Sequence, residues 1–80
     1  MKDTLEYIIK KVVDNPDSVV VEESEENGII TFLVTVAKED MGKVIGKSGK
    51  VIRSIRNVMK IPAMKENKKI HITLSDQEPQ

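Results

Sequence analysis

The stretch Val44-Ile45-Gly46-Lys47-Ser48-Gly49-Lys50-Val51-Ile52 decides how this chain reads. Two glycines frame a lysine and a serine, and aliphatic residues stand on both sides. Glycine at each end lets the main chain turn sharply and lets a ligand come close to it. Between two helices, such a turn leaves the first amides of the second helix without intrahelical acceptors. An anion there gains those donors and the positive end of the helix dipole. Lys47 adds a mobile positive charge, Ser48 a hydroxyl donor, and Ile45 and Ile52 apolar surface on which a nucleobase could rest.

Helices are what the flanks predict. Lys38-Glu39-Asp40 opens a short one with acids near its positive end, and Met41, Val44 and Ile45 are its apolar members. A second runs from about Lys50 to Lys60. It carries Val51, Ile52, Ile55, Val58 and Met59 on one arc and Lys50, Arg53, Arg56, Asn57 and Lys60 on the other. Pro62 is expected to stop it, leaving Ala63 to Lys69 as a basic loop before a last strand in which Ile70, Ile72 and Leu74 alternate with His71 and Thr73. Upstream, Ile29 to Val36 is the clearest strand, with Ile30, Phe32, Val34 and Val36 on one face. Val19-Val20-Val21 reads as a short β-branched strand, the acids of Glu22 to Glu26 as its solvated end, and Asn27-Gly28 as the turn of an antiparallel hairpin. The chain opens with a helix carrying Leu5, Ile8, Ile9, Val12 and Val13. Asp3 and Glu6 are its expected capping box, and Pro16 ends it. The order is αββααβ. An α+β fold with a three-stranded sheet and three helices on one face buries these stripes. Residues 1–75 are expected to form one domain, and 76–80 a flexible polar tail.

Composition narrows the function. The 80 residues suffice for one thin-cored domain. With no cysteine and one histidine, disulfides, thiolate metal sites and histidine cages are excluded. No signal peptide or membrane span can be drawn, so the cytoplasm is the expected address. Net charge is zero, but residues 1–40 hold 4 basic and 10 acidic side chains and residues 41–80 hold 9 and 3. That asymmetry suits either a polyanion partner or a merely dipolar, soluble surface. With Tyr7 and Phe32 the only aromatic residues, base stacking on rings cannot dominate.

An aliphatic pair, Gly-x-x-Gly, two residues and an aliphatic are here Val44-Ile45, Gly46-Lys47-Ser48-Gly49 and Ile52. In this the chain resembles the KH domain family, and its element order looks like the type II arrangement. Length, and the run from Gly42 to Gly49, are similar to the small bacterial single-domain KH proteins of the KhpA/YlqC type. Val51 and Ile52 are bulkier than that subfamily leads one to expect. The resemblance implies a grip on about four nucleotides of single-stranded RNA. Gly46, Lys47, Ser48 and Gly49 would hold phosphates and sugars, with Lys43, Lys50 and Arg53 beside them. Val44, Ile45 and Ile52 would line the base floor. The last strand would form the far wall through either Ile70 and Ile72 or His71. Lys65, Lys68 and Lys69 would reach far-end phosphates, or serve only as a soluble loop. It also implies a homodimer, or a heterodimer with another KH protein, in RNA regulation or chaperoning. RNA and single-stranded DNA are not distinguished.

Two other classes compete with this reading. Gly42 to Ser48 is one residue short of a Walker A loop and lies between helices where that loop needs a preceding strand. No nucleophile, base and orienting group occur together, so the chain reads as no enzyme and needs no cofactor. A KH-like protein-docking module without RNA is the alternative, though Lys47 and Ser48 in the loop favour RNA.

Overall fold

The computed structural model describes residues 1–76. Helix α1 (Lys2–Val12) leads to strand β1 (Val20–Glu26), strand β2 (Ile29–Val36), helix α2 (Met41–Ile45), helix α3 (Lys50–Lys65) and strand β3 (Lys69–Asp76). The sheet order is β1-β2-β3, with β1 antiparallel and β3 parallel to the central β2. Parallel pairing needs a long crossover, and α2 with α3 supplies it. Ile30, Phe32, Val34 and Val36 of β2 are all buried, and Leu5, Ile9, Val44, Ile52, Ile55 and Met59 from the helices complete the core with them.

Several boundaries differ from those the sequence suggests. The capping box is absent: α1 starts at Lys2, the Leu5 amide donates to Met1 O, and Asp3 sits inside the first turn. β1 does not fade at Val21 but runs through the glutamates. Asn27 and Gly28 both take positive φ, 54° and 78°, as a two-residue hairpin turn requires, and pairing then continues to Glu26 opposite Ile29. Pro62 does not stop α3. Proline removes one main-chain donor, and the burial of Met59 and Ala63 beneath that turn carries the helix to Lys65. The basic loop thus shrinks to Glu66, Asn67 and Lys68. β3 pairs along the full length of β2, from Lys69 opposite Ile29 to Asp76 opposite Val36. It therefore takes in the first residue of the expected tail, while 77–80 lie outside the described residues.

Among the described residues one charged side chain, that of Asp40, is buried with this core. Asp40 is 1% exposed and accepts hydrogen bonds from the amides of Asp14 (3.2 Å) and Asn15 (3.0 Å) and from Asn15 Nδ2 (3.0 Å). A buried carboxylate is tolerated only when its oxygens are satisfied. Here it ties the end of α1 to the start of α2, and Lys43 adds an ion pair to Asp14. Sequence reading gives Asp40 only as an acid near the positive end of a short helix. Replacing it, Asp40→Ala, leaves three part-buried donors unpaired and should cost about 2 kcal/mol in urea unfolding, with Asp40→Asn costing less. A loss below about 1 kcal/mol for the alanine variant would mean the tie is not needed.

Candidate nucleic-acid interface

The Gly-x-x-Gly turn joins α2 to α3 as a single tight loop. Gly46 leaves α2 at φ 77°, ψ 171°, with its amide donating to Gly42 O at 2.8 Å. Ser48 and Gly49 are both left-handed, at φ 57° and 74°. A Cβ at Gly46 would lie 2.4 Å from Val51 Cγ2 and 2.8 Å from the Val51 amide nitrogen, whereas one at Gly49 would meet nothing closer than Arg53 Nη2 at 3.9 Å. The first glycine is therefore needed for space as well as for φ, the second for φ alone. Ser48 accepts a conformation that costs an ordinary residue about 1 kcal/mol, and its exposed hydroxyl is lifted off the fold.

Lys47 and Ser48 are exposed, and Lys47 makes no ion pair among the described residues. Arg53 Nη2 donates to Ser48 O at 3.3 Å, bracing the loop from the first turns of α3. Gly49, Arg53, Arg56 and Lys60 recur every three or four residues, so they share one flank of α3. That flank faces β3. Arg56 Nη2 donates to Ile72 O at 3.1 Å, and a cavity of about 320 Å³ opens among Arg56, Lys60, Ile70, His71, Ile72 and Thr73. It continues past Lys60 into a more apolar hollow of about 310 Å³ lined by Ala63, Met64, Lys69 and Ile70.

The other expected contacts divide. Val44 is fully buried in the core and offers no surface to a ligand; Ile52 and Ile72, 7% and 4% exposed, offer little. Ile45 is exposed at the end of α2, and Ile70 is half-buried in the cavity wall. Of the two sets on β3, Ile70 and Ile72 lie toward the helices, and the exposed His71 borders the cavities from the strand edge. Lys43 is committed to Asp14 and Lys68 to Glu25 at 2.9 Å. The hydrogen bond to Glu25 holds the Lys68 ammonium above the ordinary lysine range, outweighing the opposing effect of desolvation, and the charges of Glu25, Glu66 and Glu23 add to it. Lys69 is exposed beside the far hollow. Lys50 borders the separate cleft between α1 and α3, with Ile8, Val51 and Val58. Sequence reading takes Arg56 and Lys60, with Arg53, first as a solvated helix face and only second as phosphate contacts; the structure places both in the groove wall. Their i+3 and i+4 spacing from Arg53 was the available signal, masked because it also describes a solvated face. Among the described residues no group of three or more His, Asp or Glu could hold a metal ion, and no helix is long and apolar enough to cross a membrane.

Together the αββααβ order, the mixed sheet and the Gly-x-x-Gly turn between consecutive helices define a KH domain of the type II arrangement. The sequence model of the KhpA/KhpB KH domain matches residues 2–74. Over 74 residues the chain is 47% identical to the RNA-binding protein KhpA of Clostridium acetobutylicum, covering 92% of this chain and 99% of that one. It is 41% identical to the RNA-binding protein KhpA of Chlamydia caviae, covering 95% and 97%. The chain belongs to the KhpA/KhpB KH-domain family. Among solved structures, Aquifex aeolicus Era superposes with a TM-score of 0.63 at 15% identity, over 94% of this chain and 29% of that protein. Era crystallised with nucleotides 1506–1542 of 16S ribosomal RNA gives 0.59 at 16%, with the same coverage. At that identity the likeness is one of fold, and this chain spans under a third of Era.

The two glycines should not be equivalent. Gly49→Ala should cost about 1 kcal/mol, the left-handed penalty alone, and Gly46→Ala at least twice that, because Val51 main chain must also move. Urea unfolding of the two variants gives the comparison; equal costs would deny the Val51 contact its controlling part.

Proposed function

We propose that this protein binds single-stranded RNA, gripping about four nucleotides with the Gly46-Lys47-Ser48-Gly49 loop and the groove between α3 and β3. The observation that carries this is the loop itself: an exposed lysine and serine held between two positive-φ glycines at the start of a 16-residue helix. The Gly49 and Lys50 amides donate to Gly46 O and Lys47 O within the turn, so a phosphate there meets the helix dipole and the Lys47 ammonium, while Arg53, Arg56 and Lys60 continue the positive charge along the groove. Relatives of nearly the same length are named RNA-binding proteins, which supports the same reading here. Ile45 and Ile70 offer aliphatic support to bases where aromatic rings are absent.

Loop binding is tested by fluorescence anisotropy with a labelled random single-stranded RNA. The Lys47→Asp, Ser48→Asp double variant should lose binding while circular dichroism stays unchanged. For the wild type, log K should fall against log salt with a slope of about −0.7 per phosphate contacted. Equal binding by both proteins would remove the loop from the function and bring protein docking forward.

A groove this short, without rings, binds weakly, so pairing with a second copy or with another KH protein raises the effective concentration and suits a role in RNA regulation or chaperoning. Val58 and Ile61, on the flank of α3 away from the groove, are 48% and 59% exposed and are available for such pairing. Sedimentation velocity should show association as concentration rises; a strict monomer that binds RNA tightly would refute the pairing.

A further inference from the structure

Arg56 stands where the groove meets the edge of the sheet. β3 is an edge strand. The Lys69 amide donates to Gly28 O at 3.0 Å, toward the β2 side. Alternation along a strand then turns the main-chain groups of Lys69, His71 and Thr73 inward and those of Ile70, Ile72 and Leu74 outward, into the groove. At Ile72 the outward carbonyl is taken, because Arg56 Nη2 donates to it at 3.1 Å. The bond has two effects. It occupies an acceptor that would otherwise face a base, and it holds a planar guanidinium at the cavity it lines with Lys60 and Ile70. Arginine has five N–H donors in a rigid fork and no acceptor, so donors remain for a ligand. Arg53, one turn earlier, is bonded to Ser48 O in the loop. The fork of Arg56 therefore sits next along α3 from the segment that would hold the phosphate.

A fork of donors is matched by two adjacent acceptors. In a single strand both the Watson–Crick and Hoogsteen edges of a base are open. Guanine offers O6 beside N7, and cytosine offers O2 beside N3. Adenine sets its N6 donor next to both N1 and N7, and uracil separates its two carbonyl oxygens by N3–H. We infer that Arg56 is a specificity-determining residue, selecting a base with two adjacent acceptors, guanine or cytosine, over adenine and uracil. This rests on the RNA reading of the same groove and names the class of base it takes.

The test uses labelled uridine hexamers, unsubstituted or with one central guanine, cytosine or adenine, against the whole chain and its Arg56→Lys variant. Lysine keeps the charge but is a point donor without the fork, so phosphate attraction is retained and base selection is not. The wild type should bind the guanine or the cytosine hexamer about tenfold tighter than the adenine one, and the guanine-against-cytosine comparison identifies the edge read. In Arg56→Lys the difference should vanish while circular dichroism is unchanged. Equal binding of all four hexamers by the wild type, or a preference that survives in the variant, overturns the inference and leaves RNA binding standing. Failure of the wild type to bind any hexamer overturns both.

Discussion

At Gly46 two helices meet with no room for a methyl group. The α-carbon is packed against Val51 so closely that a Cβ would collide with both its side chain and its amide, and the positive φ there aims the chain back on itself. The loop depends on this contact. Because Val51 closes under Gly46, Lys47 and Ser48 are pushed outward, and only four residues separate the end of α2 from the start of α3. Asp40 does the complementary task at the other end of α2. A five-residue helix cannot hold its own orientation, and the bonds from Asp40 to the Asp14 and Asn15 amides fix it to the end of α1. The Gly-x-x-Gly loop is thus pinned from both sides by core packing, although its central residues are solvated.

The charge asymmetry of the sequence becomes a spatial one. Glutamates 22, 23, 25 and 26 lie along β1 at one sheet edge, while Arg53, Arg56 and Lys60 line α3 beside the other. The Lys68–Glu25 pair bridges the two at the hairpin-turn end of the sheet, where β1 and β3 flank β2. Exposed pairs of this kind contribute little stability; the consequence is that Lys68 and Lys43, both basic in sequence, add less free positive charge to the groove than a count of lysines suggests.

The fold was legible because its stripes are clean. The alternation in β2, the Asn27-Gly28 turn and the Gly-x-x-Gly loop each follow from one local rule, and all three appear where the residues put them. What local rules mis-set were boundaries decided by partners. β1 and β3 are longer than their apolar residues because β2 pairs along its whole length, and Pro62 lies within α3 because Ala63 is buried below it. At the site, the loop was plain, but the depth of Val44, the diversion of Lys43 and Lys68 to carboxylates and the turn of Arg56 toward Ile72 all depend on contacts between segments far apart in sequence. No periodicity carries such information.

Both margins of the sheet carry features that discourage another strand from joining. Four glutamates along β1 would face a copy of themselves in any β1-to-β1 pairing, and like charges brought across a shared edge repel. On β3 the outward carbonyl of Ile72 is already bonded to Arg56, so a docking strand would have to displace a guanidinium to continue the ladder. A small protein with a short, half-solvated sheet is thereby protected from growing into ribbons.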